Sequence, residues 1–369
     1  MITARQFEGM MDEIAPLRYS YDWDNSGMTI LTHPAVERVL ICLDVTEQVI
    51  AEAVEKGCDT ILSHHPLIFK GIKKLRQDQP VQTLCIQAIQ AGLNLYAAHT
   101  SYDCAPLGIN YSLMQALGLE KGALLAEEGR DHCYKVVVYV PAGEREAVRR
   151  ALFEAGAGSF GNYEEVSYEM EGRGRFTPTA QAHPAIGAAG RPETVEETRV
   201  EVLCREQALA AVVQAAREAH PYEEPVIDVY RLERPCEPYG IGMLGELPQA
   251  MEAEAFARYV KERLGAASVK TGGAMGPVKR VACVGGAAGE YFALAKKQGA
   301  DAFVVGEAKY NHFLDARDCG ILLVEAGHYD TEKTFVEAMK EGLQNYCNRV
   351  QYNIAVIASE YGSRPYSVY

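Results

Sequence analysis

The chain has no apolar run long enough to cross a bilayer, no Cys-x-x-Cys pair and no long basic stretch. Each absence removes a class of protein. A membrane span needs roughly 20 consecutive apolar residues, and nothing here reads as one. The opening Met1-Ile2-Thr3-Ala4-Arg5-Gln6-Phe7 lacks the basic-then-apolar pattern of a secretory signal, so the expected location is the cytoplasm. The ten cysteines are scattered, several of them inside apolar runs, such as Cys42 and Cys283. They read as small buried hydrophobes in a reducing compartment, not as a disulfide framework or a zinc ribbon. The net charge is −14, which argues against non-specific nucleic-acid binding, since that runs on neutralising phosphates. No Gly-x-x-x-x-Gly-Lys-[Ser/Thr] loop is present, and an NTPase motor is not expected.

What is present is histidine in suggestive places. Ser63-His64-His65-Pro66 closes the apolar run Thr60-Ile61-Leu62. Neighbouring residues in a strand point to opposite faces, but at a strand end, before a proline, two imidazoles can converge. Neutral imidazole is a common ligand for zinc and similar metals. His99 and Asp103 stand four residues apart, as do His328 and Glu332, the spacing that stacks two side chains on one helical face. Alone, a His-His dipeptide is more often a surface or satisfied core pair, and His99 and His328 could each merely cap a strand. Their recurrence in matching contexts favours a metal role. Together they supply more donors than one tetrahedral ion needs, and the reading is a site for two metals.

An internal repeat supports this. Val36-Glu37-Arg38-Val39, a helical stretch Glu47 to Lys56, and Gly57-Cys58-Asp59-Thr60-Ile61-Leu62 reappear 242 positions later. The second copy reads Val278-Lys279-Arg280-Val281, Glu290 to Gln298, and Gly299-Ala300-Asp301-Ala302-Phe303-Val304. Each copy has the pattern of a βαβ unit with parallel strands. His64 and His65 align with Gly306 and Glu307, so Glu307 is a candidate proton acceptor or a partner to a ligand. The candidate ligands all fall at carboxyl ends of strands, where open α/β sheets gather their sites. Between the halves, residues 126–233 read as βαββαβ, the ferredoxin-like order. The expected fold is therefore α/β: two pseudo-repeated halves form one discontinuous domain, 1–125 and 234–369, interrupted by an inserted domain at 126–233.

The motifs Trp23-Asp24-Asn25-Ser26-Gly27, Ser63-His64-His65-Pro66-Leu67-Ile68-Phe69, His99-Thr100-Ser101-Tyr102-Asp103 and Gly327-His328-Tyr329-Asp330-Thr331-Glu332 together resemble the dinuclear-metal-centre family whose members carry the name GTP cyclohydrolase 1 type 2 homologue. The resemblance covers 1–125 and 234–369. The insertion, with Gly158-Ser159-Phe160-Gly161-Asn162-Tyr163 and His220-Pro221-Tyr222-Glu223-Glu224-Pro225, is similar to the CutA/P-II-like domain of longer members. The resemblance implies metal ligands at His64, His65, Asp103, His328 and Glu332, with His99 beside the metals, orienting a ligand or handling a proton. It also implies a toroidal homohexamer.

Two divalent ions held by imidazoles and carboxylates make a hydrolytic centre, and donors of N and O without thiolate suit zinc, iron(II) or manganese. In the cyclohydrolase reading, activated water attacks C8 of a guanine nucleotide and opens the ring with loss of formate; His99 or Glu307 carries the proton. The same metals could serve a phosphoesterase, or a non-enzymatic protein that stores, senses or delivers metal, with the insertion as its regulatory module. Val284-Gly285-Gly286-Ala287-Ala288-Gly289 offers backbone N–H groups to an anion, or tight packing. Asp24 to Gly27 reads as a turn, with Trp23 as packing anchor or base-stacking ring.

Overall fold

The computed structural model of the chain describes residues 1–233, 236, 238–362 and 364–368. Residue 234, where the sequence reading returns to the outer domain, lies outside them. Two compact units are formed, Met1–Gly129 with Tyr239–Tyr369, and Arg130–Pro238. Among the described residues no helix is long and apolar enough to cross a membrane.

The first unit is mixed α/β with two main sheets. One is five-stranded, in the order Ala355–Ala358, Arg38–Cys42, Thr60–Ser63, Asn94–Ala97, Gly27–Ile30, parallel except for the last. The other is six-stranded, with Pro277–Val284, Ala302–Val305 and Leu322–Glu325 parallel at its centre. Strands Thr60–Ser63 and Ala302–Val305 are buried throughout, because parallel strands are covered on both faces and tolerate continuous apolar runs. One core cluster takes Ile41, Leu62 and Tyr96 from the first sheet, Phe303, Val305 and Leu323 from the second, and Phe335, Met339 and Leu343 from helix Phe335–Val350.

The Gly-x-Asp element has a physical purpose in both copies. Gly57 and Gly299 have φ of +63° and +79° just past a helix end, where a left-handed residue terminates the helix. Asp59 Oδ2 then accepts from the backbone N–H groups of Glu37 and Arg38 at 2.7 and 2.8 Å. Asp301 Oδ2 accepts likewise from Lys279 and Arg280 at 3.0 and 2.8 Å. Each aspartate ties the start of one strand to the start of its parallel neighbour. The helix read over Glu290 to Gln298 is shorter than its counterpart: a 3-10 turn Gly289–Tyr291 precedes helix Phe292–Lys297.

In the second unit strand Cys133–Pro141 is followed by helix Arg145–Glu154, strands Ser167–Phe176 and Glu193–Arg205, helix Leu209–Ala219 and strand Ile227–Arg231. The sheet is antiparallel, with the first and third strands at its centre. Both helices pack on the face that carries Val136, Val138, Val200 and Val202. Here the cysteine reading needs correction. Cys133 and Cys236 form a disulfide across 103 residues, on the side of the first strand where Leu232 N donates to the Cys133 carbonyl at 2.9 Å. Cys319 is an exposed thiol, and the other seven free cysteines are buried, as small hydrophobes are.

Candidate metal centre

The parallel strands of the first unit end where the chemistry gathers. His64 and His65 directly follow strand Thr60–Ser63. His99 follows strand Asn94–Ala97 by two residues and precedes the single-turn helix Thr100–Asp103. His328 opens the short helix His328–Glu332, just after strand Leu322–Glu325. The i, i+4 spacing therefore lies on real helical turns.

The structure brings the candidate ligands together. His65 Nε2 lies 3.0 Å from Glu332 Oε2 and 3.4 Å from His328 Nε2. His328 Nε2 is 3.1 Å from the same carboxylate oxygen. His64 Nε2 is 3.6 Å from Asp103 Oδ1 and 3.8 Å from Glu332 Oε1. Two groups of three have mutual ligand-atom distances within 4.8 Å: His64, His65 and His99, and His65, His328 and Glu332.

Every imidazole is tethered at its other nitrogen. His64 Nδ1 donates to the Ala98 carbonyl at 2.9 Å, His65 Nδ1 to Asp44 at 2.8 Å, His99 Nδ1 to Asp24 at 2.7 Å, and His328 Nδ1 to Glu307 at 3.0 Å. A carbonyl or carboxylate can only accept, so Nδ1 carries a proton in all four and Nε2 faces inward. Metal-ligating histidines are held in this manner. Sequence reasoning missed the roles of Asp44 and Asp24. Asp44 stands at the carboxyl end of strand Arg38–Cys42, the one signal that could have nominated it. Asp24 belongs to the segment read as a turn. Its side chain is fully buried and accepts also from Ser26 Oγ, Thr100 N and Thr100 Oγ1. Glu307 lies on the outer side of His328, as its tether.

Burial and charge oppose one another across the site. Glu332 is buried, which by itself raises a carboxyl pKa, but hydrogen bonds from His328, His64 and His65 hold it well below the usual range. Burial pushes His65 down, yet Asp44 and Glu332 outweigh it and carry it up to about 10. His328 is raised too, by Glu332 against its own burial. Asp103 is pushed upward by burial despite His64 and His99. Among the described residues the buried atoms without a hydrogen-bond partner include His64 Nε2, and such atoms are rare enough to need a reason. A divalent transition metal could take the place of the protons shared between these Nε2 atoms and the carboxylates, and the N and O donor set fits one.

The glycine-rich turn lies against the site, and two of its N–H groups are already taken. Gly285 N donates to Asn110 Oδ1 at 2.9 Å and Gly286 N to Thr331 Oγ1 at 3.2 Å. Gly286 has φ +67°, and a Cβ added there would fall on Glu332 Oε1. Its role is close approach. On the open side, Trp23 and Phe69 are 60% and 44% exposed. Their rings are 6.0 Å apart, and each is 6.2 Å from His99.

The Duf34/NIF3 (NGG1p interacting factor 3) family model matches residues 2–365. A protein of Bacillus subtilis (strain 168) named GTP cyclohydrolase 1 type 2 homolog is 36% identical over 368 residues, 99% of this chain and 98% of that one. A protein of the same name from Staphylococcus aureus (strain MRSA252) is 36% identical over 359 residues, 97% of each chain. Among solved structures, a Bacillus cereus protein related to NIF3 matches with a TM-score of 0.85 at 34% identity, covering 100% of this chain and 99% of that one. A family match over almost the whole length, relatives covered end to end and a solved structure of like fold lead to one conclusion: the chain belongs to the Duf34/NIF3 family.

Proposed function

We propose that the protein holds two divalent transition-metal ions (zinc, iron(II) or manganese) and uses them as a hydrolase on a guanine nucleotide. The observation that carries the metal reading is the set of four imidazoles tethered through Nδ1, three of which converge on the buried Glu332 carboxylate. His64, Asp103 and Glu332 Oε1 would hold one ion, and His65, His328 and Glu332 Oε2 the other. An imidazole nitrogen has one lone pair, so Glu332, with two oxygens facing two groups, is the ligand able to serve both ions. Bound ions of this kind activate water and stabilise developing negative charge on oxygen.

The remaining residues have distinct tasks. His99, held by the buried Asp24, is fixed to accept or deliver a proton at Nε2. Glu307 orients His328. Trp23 and Phe69 offer exposed aromatic faces for a flat base beside His99, which a closed storage site would not need. The name shared by the relatives supports the cyclohydrolase reaction: opening of the five-membered ring of GTP with release of formate. The outer domain, 1–125 with 234–369, would carry this chemistry on two pseudo-repeated halves. The 126–233 insertion would be a ferredoxin-like, CutA/P-II-like module; its strand order supports that. A toroidal homohexamer in the cytoplasm completes the proposal.

Elemental analysis of reconstituted protein should find close to two ions per chain, and turnover of a nucleotide panel should release formate from GTP only with metal present. A wild type that binds no more metal than His65→Ala/Glu332→Ala would sink the metal centre. Two bound ions with no turnover of any nucleotide or phosphoester would leave metal storage or delivery as the function.

A further inference from the structure

The inserted unit has a cavity of its own, of about 740 Å³, within the size range of small-molecule sites, roughly 300–1,000 Å³. It lies on the sheet face opposite the two helices. The central strands present Tyr139, Glu197 and Arg199 there, and segment 178–186 and the His220–Pro225 motif supply further walls. Nothing in the metal chemistry uses that motif or this face.

The polar groups on the floor are arranged in a specific way. Arg199 donates through Nη2 to Glu201 at 2.8 Å, and its guanidinium carbon lies 5.9 Å from the Tyr139 ring centroid. The guanidinium lines the cavity with its side chain 33% exposed, and it can only donate. Two positions along the same strand, on the same face, Glu197 Oε1 accepts from the Tyr222 hydroxyl at 3.1 Å, while Oε2 lies over Gly174. Phe176 and Tyr222 meet edge to face at 6.0 Å, giving aromatic walls. Three arginines stand against five carboxylates around the cavity, which disfavours a phosphate-bearing ligand.

We propose that this cavity binds an uncharged, planar nucleobase-type heterocycle whose edge sets one acceptor beside one N–H donor. The acceptor receives a hydrogen bond from the Arg199 guanidinium, the donor gives one to Glu197, and the ring lies among Tyr139, Tyr222 and Phe176. The site is independent of the metal centre.

Calorimetry on the full-length protein tests this with two nucleosides and their edge-blocked counterparts: inosine against 1-methylinosine, and adenosine against purine riboside. At least one parent nucleoside should bind once per chain, with its blocked counterpart at least about tenfold weaker. Gly172 lines the cavity and a Cβ added there meets nothing within 4 Å, so Gly172→Leu intrudes on the ring's place and should abolish binding. Arg199→Met should weaken it at least tenfold, and circular dichroism should show both variants folded. The metal-free His65→Ala/Glu332→Ala protein should bind as wild type does. Absence of binding by both parents overturns the proposal. So does binding that survives Gly172→Leu, that ignores the blocked edge, or that disappears in the metal-site variant.

Discussion

At the scale of single residues, the centre depends on side chains that touch no proposed ion. Asp24 is the clearest. It fixes the His99 ring and also takes three further hydrogen bonds, so Asp24→Asn should leave metal content near wild type while lowering turnover about 10–100-fold. Asp44→Asn acts on His65 and should lower metal affinity by a similar factor. Metal titration beside steady-state rates separates the two cases, and equal loss of metal in both would refute the assignment of His99. These partners also mark the limit of sequence reading. His-His and His-x-x-x-carboxylate are local patterns, legible because spacing alone places them. A tether such as Asp44 to His65 spans 21 positions and depends on which strand lies beside which, and spacing does not encode that.

At the scale of elements, the parallel strands and their helices were legible from apolar runs and the repeated Gly-x-Asp. The Cys133–Cys236 pair was not, since connectivity among ten cysteines is undetermined by sequence. The C-terminal segment was also missed. Its anchor is Glu52, buried in helix Glu47–Glu55, which accepts from Lys56 Nζ at 2.7 Å, Glu360 N at 2.9 Å and Ser359 Oγ. Burial raises its pKa, but Lys56, Ser359 and Glu360 outweigh that and hold it below the usual range. A carboxylate depressed in the folded state stabilises above its unfolded pKa, roughly 4.3, and that contribution is lost as pH falls through the folded value. Glu52→Gln should therefore lower stability at pH 7 by about 1–3 kcal/mol. The gap from wild type should close as pH drops below about 4, as thermal melts across pH will show; a gap that widens in acid would refute the account.

At the scale of the whole molecule, the inserted unit leaves and returns through neighbouring strands, Glu120–Arg130 and Pro238–Glu252, paired in one sheet. The chain ends created by removing residues 130–238 lie on adjacent strands, so a short linker suffices. The trimmed protein should be soluble, melt cooperatively and load metal as the intact chain does, because every proposed ligand and the core between the two sheets lie in the other unit. Insolubility or failure to load would make the insertion integral to the fold. Nucleoside binding should be lost with it.

Gly286 bears on how such a protein can lose its function over generations. Only the absence of a side chain there lets the Glu332 carboxylate stand where it does, and the left-handed backbone resists any replacement. Gly286→Ala should keep the fold yet bind markedly less metal by elemental analysis; full loading would show that the turn yields. A lineage could thus drift into inactivity through one methyl group, with every histidine and carboxylate intact. A survey of descendants that counted only the proposed liganding residues would score such a fossil as intact.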